Sequence, residues 1–197
     1  MADEKPRPPD EGFTLLDGVS PADQDIIREY GSQHLVASDQ SRPLAERLAA
    51  FEDVFESDVG DTTIARARNI ERTSSLRQIF LKFEGSNPSG TQKDRIAFAQ
   101  ALDALRRGFD AVTVATCGNY GVSTAMAAMM AGLRCIVYIP CGYHTRRAVE
   151  MQQMGAVIEQ VAGDYESAVE VSRGRADQDD IYDANPGGAN VLLQLRA

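Results

Sequence analysis

Short apolar runs alternate with helix-length stretches through the second half of the chain. Ala111-Val112-Thr113-Val114-Ala115-Thr116 is continuous and almost wholly apolar, the pattern of a strand buried on both faces. Cys135-Ile136-Val137-Tyr138-Ile139, Ala156 to Val161 and Ile181-Tyr182-Asp183-Ala184 repeat it. Between these runs lie helical patterns. One runs from Val122 to Met130 and stops at Gly132. A second runs from Thr145 to Met154 with Gly155 just past its end. A third runs from Tyr165 to about Arg173, capped by Asp164. The order β-α-β-α-β-α-β predicts an α/β fold, an open parallel sheet with helices on both faces, complete between residues 110 and 185.

Upstream the pattern is weaker. Ile64-Ala65-Arg66-Ala67 and Ile79-Phe80-Leu81-Lys82-Phe83 read as strands, and a helix is expected from about Lys93 to Arg107. Helices are also expected from Pro43 to Phe51, with Ser41 as cap, and from Pro21 to Tyr30, with Ser20 as cap and Pro21 in first position. Residues 1–12 are Pro-rich and charged and predict a loosely attached segment. A further helix begins at Asn190 and is cut off at Ala197, which points to a truncated product or a short terminal helix.

Charge sharpens this division. Residues 1–61 carry 15 acidic and 5 basic side chains, while residues 62–197 carry 14 and 15. The near-neutral remainder lacks the basic stripe of a nucleic-acid surface. No run is long and apolar enough for a membrane span, and the N-terminus has no apolar signal core, so a cytoplasmic protein is expected. Cys117, Cys135 and Cys141 form no Cys-x-x-Cys, and His34 and His144 complete no metal pattern, so neither a disulfide nor a structural metal is expected.

The chemistry centres on Asn87-Pro88-Ser89-Gly90-Thr91-Gln92-Lys93-Asp94-Arg95, a turn that delivers a lysine to a helix start. Lysine is scarce: Lys5, Lys82 and Lys93 stand against 17 arginines. A cation is locally disfavoured at a helix N-terminus, and an amine partly desolvated near positive potential suits Schiff-base chemistry. From spacing alone, an exposed loop cation is the commoner outcome. The second feature is Thr116-Cys117-Gly118-Asn119-Tyr120-Gly121, at the carboxyl end of the first strand of the sheet, where open parallel sheets bind ligands. Gly118 and Gly121 would let an anion approach the backbone and the first amides of the next helix. On its own, Gly-x-x-Gly is more often a tight turn.

Glu84 to Arg95 resembles the cofactor-lysine segment of fold-type II pyridoxal-phosphate enzymes, most closely the threonine synthase group, with Ser-Gly-Thr-Gln where many relatives carry Thr-Gly-Ser-Phe. The Thr116–Gly121 turn is similar to that family's Ser-Ser-Gly-Asn-x-Gly loop, and the resemblance extends from about Gly60 to Leu195. It implies that Lys93 is the catalytic lysine that binds pyridoxal phosphate and that Asn119 hydrogen-bonds the cofactor oxygen. It also implies that Thr116, Cys117, Gly118, Tyr120 and Gly121 hold an amino-acid substrate. Cys117 is a poorer donor than the serine of the commonest form, a difference that falls on the substrate rather than the cofactor.

By the same resemblance, residues 1–58 are an acidic extension, 59–109 the first part of a large domain and 110–185 a small domain. Residues 186–197 begin a return to the large domain. The family's phosphate-cradling Gly-rich loop would lie beyond the chain, and Asn185-Pro186-Gly187-Gly188 reads as a connector. The implied activity is that of a threonine synthase-like lyase acting on O-phosphohomoserine. The alternatives are a serine/threonine dehydratase, a cysteine synthase-like β-replacement enzyme, or a catalytically silent fragment or subunit. The partners implied are a small amino acid and either a second copy or a longer, complementary chain, with no nucleic acid and no membrane.

Overall fold

In the computed structural model the described residues are 31–143 and 145–187. The chain divides into two units, Met1–Ser32 and Gln33–Ala197, and of the first only residues 31–32 are described, as helix. The expected helices at Pro21 and Asn190, the Pro-rich start and His144 lie outside the described residues.

The second unit is built on a four-stranded parallel sheet. Its strands are β3 (Ala111–Ala115), β4 (Arg134–Pro140), β5 (Val157–Val161) and β6 (Tyr182–Asp183), in the order β5-β4-β3-β6. Side-chain alternation decides what each face of the sheet meets. Val112 and Val114 of β3, with Cys135, Val137 and Ile139 of β4, face the larger cluster. Ala115 and Tyr138 face the other side with Ala168, and Thr113 meets Ser172 there at 3.0 Å. Burial pushes the Cys135 thiol up to about 12, and all three cysteines are free thiols.

Helix α1 (Leu44–Asp58), α3 (Lys93–Arg106) and α4 (Asn119–Ala131) supply the larger cluster, in which Phe51 stacks on Phe98 with ring centroids 5.9 Å apart. Helix α1 outruns its expected end at Phe51 because Val54 and Phe55 continue the same stripe at helical spacing. Pro43 stands at its N-cap position, while Ser41 turns back to Asp39. Helix α6 (Tyr165–Asp179) likewise runs beyond Arg173, since Ala168, Ser172 and Ala176 form its buried face. Asp164 caps it, accepting the Ser167 N–H at 3.0 Å. Helix α5 (Arg147–Gln153) closes the larger side and brings Met151 into the core. His34 is half-buried 3.7 Å from Asp58 rather than free on the surface.

Upstream of the lysine loop, β1 (Ile64–Arg66) and β2 (Phe80–Lys82) form an antiparallel hairpin with Ala65 opposite Leu81. Its connection contains α2 (Arg68–Ser74), which has no buried residue and so left no apolar stripe to read. Every residue of both strands is exposed. Among the described residues no helix is long and apolar enough to cross a membrane.

Candidate active site

Three consecutive residues open α3, and each goes a different way. Asp94 is fully buried and accepts the Ser89 N–H at 2.7 Å and the Ser89 hydroxyl. Ser89 lies 2.9 Å from Ser123 of α4, so the loop is tied to a second helix. Arg95 points to the hairpin, its Nε donating to Glu84 at 3.0 Å and its Nη2 to the Gly60 carbonyl at 2.8 Å. Lys93, whose backbone N–H is capped by the Thr91 hydroxyl at 3.1 Å, lines a cavity of about 810 Å³. That is within the roughly 300–1,000 Å³ of small-molecule sites. The desolvation expected of this lysine is absent, since Lys93 is exposed at the cavity.

The loop is rigidly specified. Asn87 is buried; its Oδ1 accepts the Gly60 N–H at 3.0 Å and its Nδ2 donates to the Glu84 carbonyl at 2.8 Å. Gly90 adopts φ +80°, a conformation that favours glycine, and its N–H closes the turn on the Asn87 carbonyl. The Arg95 guanidinium, aided by Asn87 and Thr62, holds the Glu84 carboxyl down at about 2.

The same cavity is lined by Thr116, just after β3, and Tyr120, in the first turn of α4. Thr116 is buried, and its N–H is paired with the Tyr138 carbonyl at 3.1 Å. The Tyr120 hydroxyl donates to the Ala184 carbonyl at 2.6 Å and lies beside the Gln100 carboxamide, and burial raises its pKa. Tyr120 therefore offers the cavity its ring more than its hydroxyl.

Cys117, Gly118, Asn119 and Gly121 share the turn but do not form the cavity wall. Cys117 is half-buried against the core, and Asn119 is exposed in the first turn of α4. A Cβ on Gly118 would meet nothing within 4 Å, so the backbone is open to approach there. Gly121 is different. A Cβ would fall 2.7 Å from Met151 and 2.9 Å from Thr116, and its N–H already donates to the Gly118 carbonyl at 3.0 Å. Its glycine serves packing.

The wall also contains Lys82, Glu84, Arg95 and Tyr165, which sequence reading did not place there. The scarcity that singled out Lys93 could have flagged Lys82, two residues before Glu84 at strand spacing. Tyr165 left no signal, because only the fold brings the start of α6 to this edge.

The family model for pyridoxal-phosphate dependent enzymes matches residues 55–194. Threonine synthase of Mycobacterium leprae is 39% identical over 115 residues, covering 58% of this chain and 31% of that protein. Cysteine synthase B of Pseudomonas syringae pv. syringae is 36% identical over 110 residues, covering 54% of this chain and 64% of that one. Among solved structures, a pyridoxal 5'-phosphate-dependent aspartate racemase superposes with a TM-score of 0.60 over 70% of this chain and 44% of its own, at 23% identity. That last likeness is one of fold. The chain spans about a third of the length of the threonine synthases that it matches.

Proposed function

The chain belongs to the fold-type II pyridoxal-phosphate dependent enzymes, and from that premise we propose that it carries the cofactor lysine and part of the substrate site of an amino-acid lyase of the threonine synthase type. The observation that carries the reading is that one cavity brings Lys93 together with Thr116 and Tyr120 from a turn 20 or more residues away.

The residues present fit the cofactor: an exposed primary amine at a helix start and an aromatic ring line the cavity, and the Gly118 backbone, two residues after the lining Thr116, is open to approach. When bound, pyridoxal phosphate supplies an electron sink for negative charge at a substrate α-carbon. Lys93 Nζ would hold the cofactor, and its amine would be the base for the proton at the substrate α-carbon. By the family resemblance Asn119, exposed in the first turn of α4, would help to hold the cofactor. Thr116 and the turn from Cys117 to Tyr120 are assigned to the substrate carboxylate, with Gly121 keeping the turn tight against Met151.

O-phosphohomoserine is the substrate that this reading favours, with threonine and phosphate as products. Similarity to threonine synthases supports it. A β-replacement activity of the cysteine synthase kind is the second reading, supported by the 36% identity to cysteine synthase B over 110 residues. The site works in the cytoplasm, in a homodimer or beside a longer or complementary chain.

The test is the visible absorbance of the purified chain with pyridoxal phosphate, before and after borohydride, beside Lys93→Ala. A band that borohydride fixes on the wild type and not on the variant is the expected result. An unchanged spectrum in Lys93→Ala sinks the assignment. Release of inorganic phosphate from O-phosphohomoserine, against acetate from O-acetylserine, then separates the two activities.

A further inference from the structure

The hairpin is fastened to the unit by polar bonds rather than by buried apolar surface. Ile64, Phe80 and Leu81 are each more than half exposed. Its ties converge on one guanidinium. Besides Glu84 Oε2 and the Gly60 carbonyl, Arg95 reaches Glu84 Oε1 at 3.1 Å and the Thr62 hydroxyl at 3.2 Å. Gly60 takes φ +103° directly over it, where a Cβ would fall 2.8 Å from Nη1. Asn87 adds a second link between Gly60 and Glu84. Lys82 Nζ joins the same group, 3.2 Å from the Thr62 carbonyl and 3.6 Å from Glu84.

Arg95 sits two positions after Lys93 in the same helical turn. Asp94 pulls that turn toward Ser89 and α4, and Arg95 pulls it toward the hairpin. The turn is thus held from two sides, and the lysine that precedes both anchors lines the cavity.

We propose that Glu84 and Arg95 are a positioning pair for Lys93, fixing the direction from which its amine meets the cofactor carbonyl. Neither reacts itself. The proposal rests on the reading of Lys93 as the cofactor lysine. Misplacing a reacting group by about 1 Å can cost roughly a hundredfold, so loosening one of two anchors should be visible at the bonding step.

The full chain is compared as wild type, Glu84→Gln, Arg95→Lys and Lys93→Ala. Each is titrated with pyridoxal phosphate across pH, reduced with borohydride and mapped by peptide mass spectrometry for adduct at residue 93. Cofactor-free melting by circular dichroism is recorded in parallel. Glu84→Gln is expected to need roughly tenfold more cofactor for half-labelling of Lys93 and to shift the pH midpoint, with little change in melting. Arg95→Lys, which keeps the charge but loses the fork, should be intermediate. Labelling and pH midpoint in Glu84→Gln equal to wild type would overturn the pair's role. So would losses that simply track melting temperature in both variants. A wild type that carries no adduct at Lys93 overturns the cofactor-lysine assignment instead, and the pairing falls with it.

Discussion

Strand β6 ends at Asp183, yet the β3 ladder gains one more rung from a side chain. Asn185 Oδ1 accepts the Ala115 N–H at 2.8 Å, and its Nδ2 donates to Ser172 at 2.9 Å and to Asp183 at 2.7 Å. The residue is almost fully buried, so its removal strands the Ala115 amide, while the Ser172 hydroxyl keeps Thr113. Asn185→Ala is expected to lose about 1–3 kcal/mol of stability in urea unfolding, the usual cost of a buried group left unpaired. Gly121→Ala should cost about 1–3 kcal/mol in urea unfolding, by overpacking against Met151 and Thr116. At this scale the sequence was legible where a residue was rare or its type chemically pointed, as with Lys93 and Thr116. Asn185 read only as a turn residue. Its partner lies 70 positions away, and no local pattern announces such a bond.

Among elements, an apolar stripe made most helices legible, although α1 runs past Phe51 on a stripe that continues through Val54 and Phe55, and α2, with no buried residue, has no such signal. Helix α4 starts at Asn119, three residues before its apolar pattern begins, which places Asn119 and Tyr120 in its first turn rather than in a free loop. Helix α6 was shortened because its buried face uses Ala168, Ser172 and Ala176, small side chains that weigh little in a hydrophobic pattern. The hairpin makes an element-level prediction. Glu84 titrates from an ordinary 4.5 down to about 2 when folded, so its contribution is fully present above pH about 4.5. It is lost as the pH falls through about 2, where the folded carboxylate takes up its proton. Amide exchange at residues 60–63 and 84–88 should therefore accelerate between those limits in the wild type. In Glu84→Gln it should be fast throughout, with no such step.

One hydrophobic cluster runs from Ala37 to Ala184, so the helices before the sheet and the sheet itself share a single core. Alternation of strand and helix patterns was enough to read the parallel sheet, since each buried strand leaves a continuous apolar run. The joining of α1 and α3 to that core was not legible. It depends on Phe51, Phe55 and Phe98 meeting across more than 40 residues. A ligand that binds only the folded unit raises its stability by mass action. Pyridoxal phosphate at about one hundred times its dissociation constant should add about 2.7 kcal/mol, read as a higher melting temperature in wild type and not in Lys93→Ala.

The two-stranded hairpin has a colloidal consequence. Leu81 marks one of its faces, Ile64 and Phe80 mark the other, and among the described residues neither strand has a further neighbour in its sheet. Unpaired edges flanked by apolar side chains are templates for chain-to-chain pairing. A net charge of −9 opposes such encounters between copies, and salt screens that repulsion. Solubility should accordingly fall as salt rises from about 0.01 M to 0.15 M, where the screening length shrinks from about 30 Å to 8 Å. Light scattering at a fixed protein concentration would show it. Lysine in place of Phe80 and Leu81 should abolish the salt dependence.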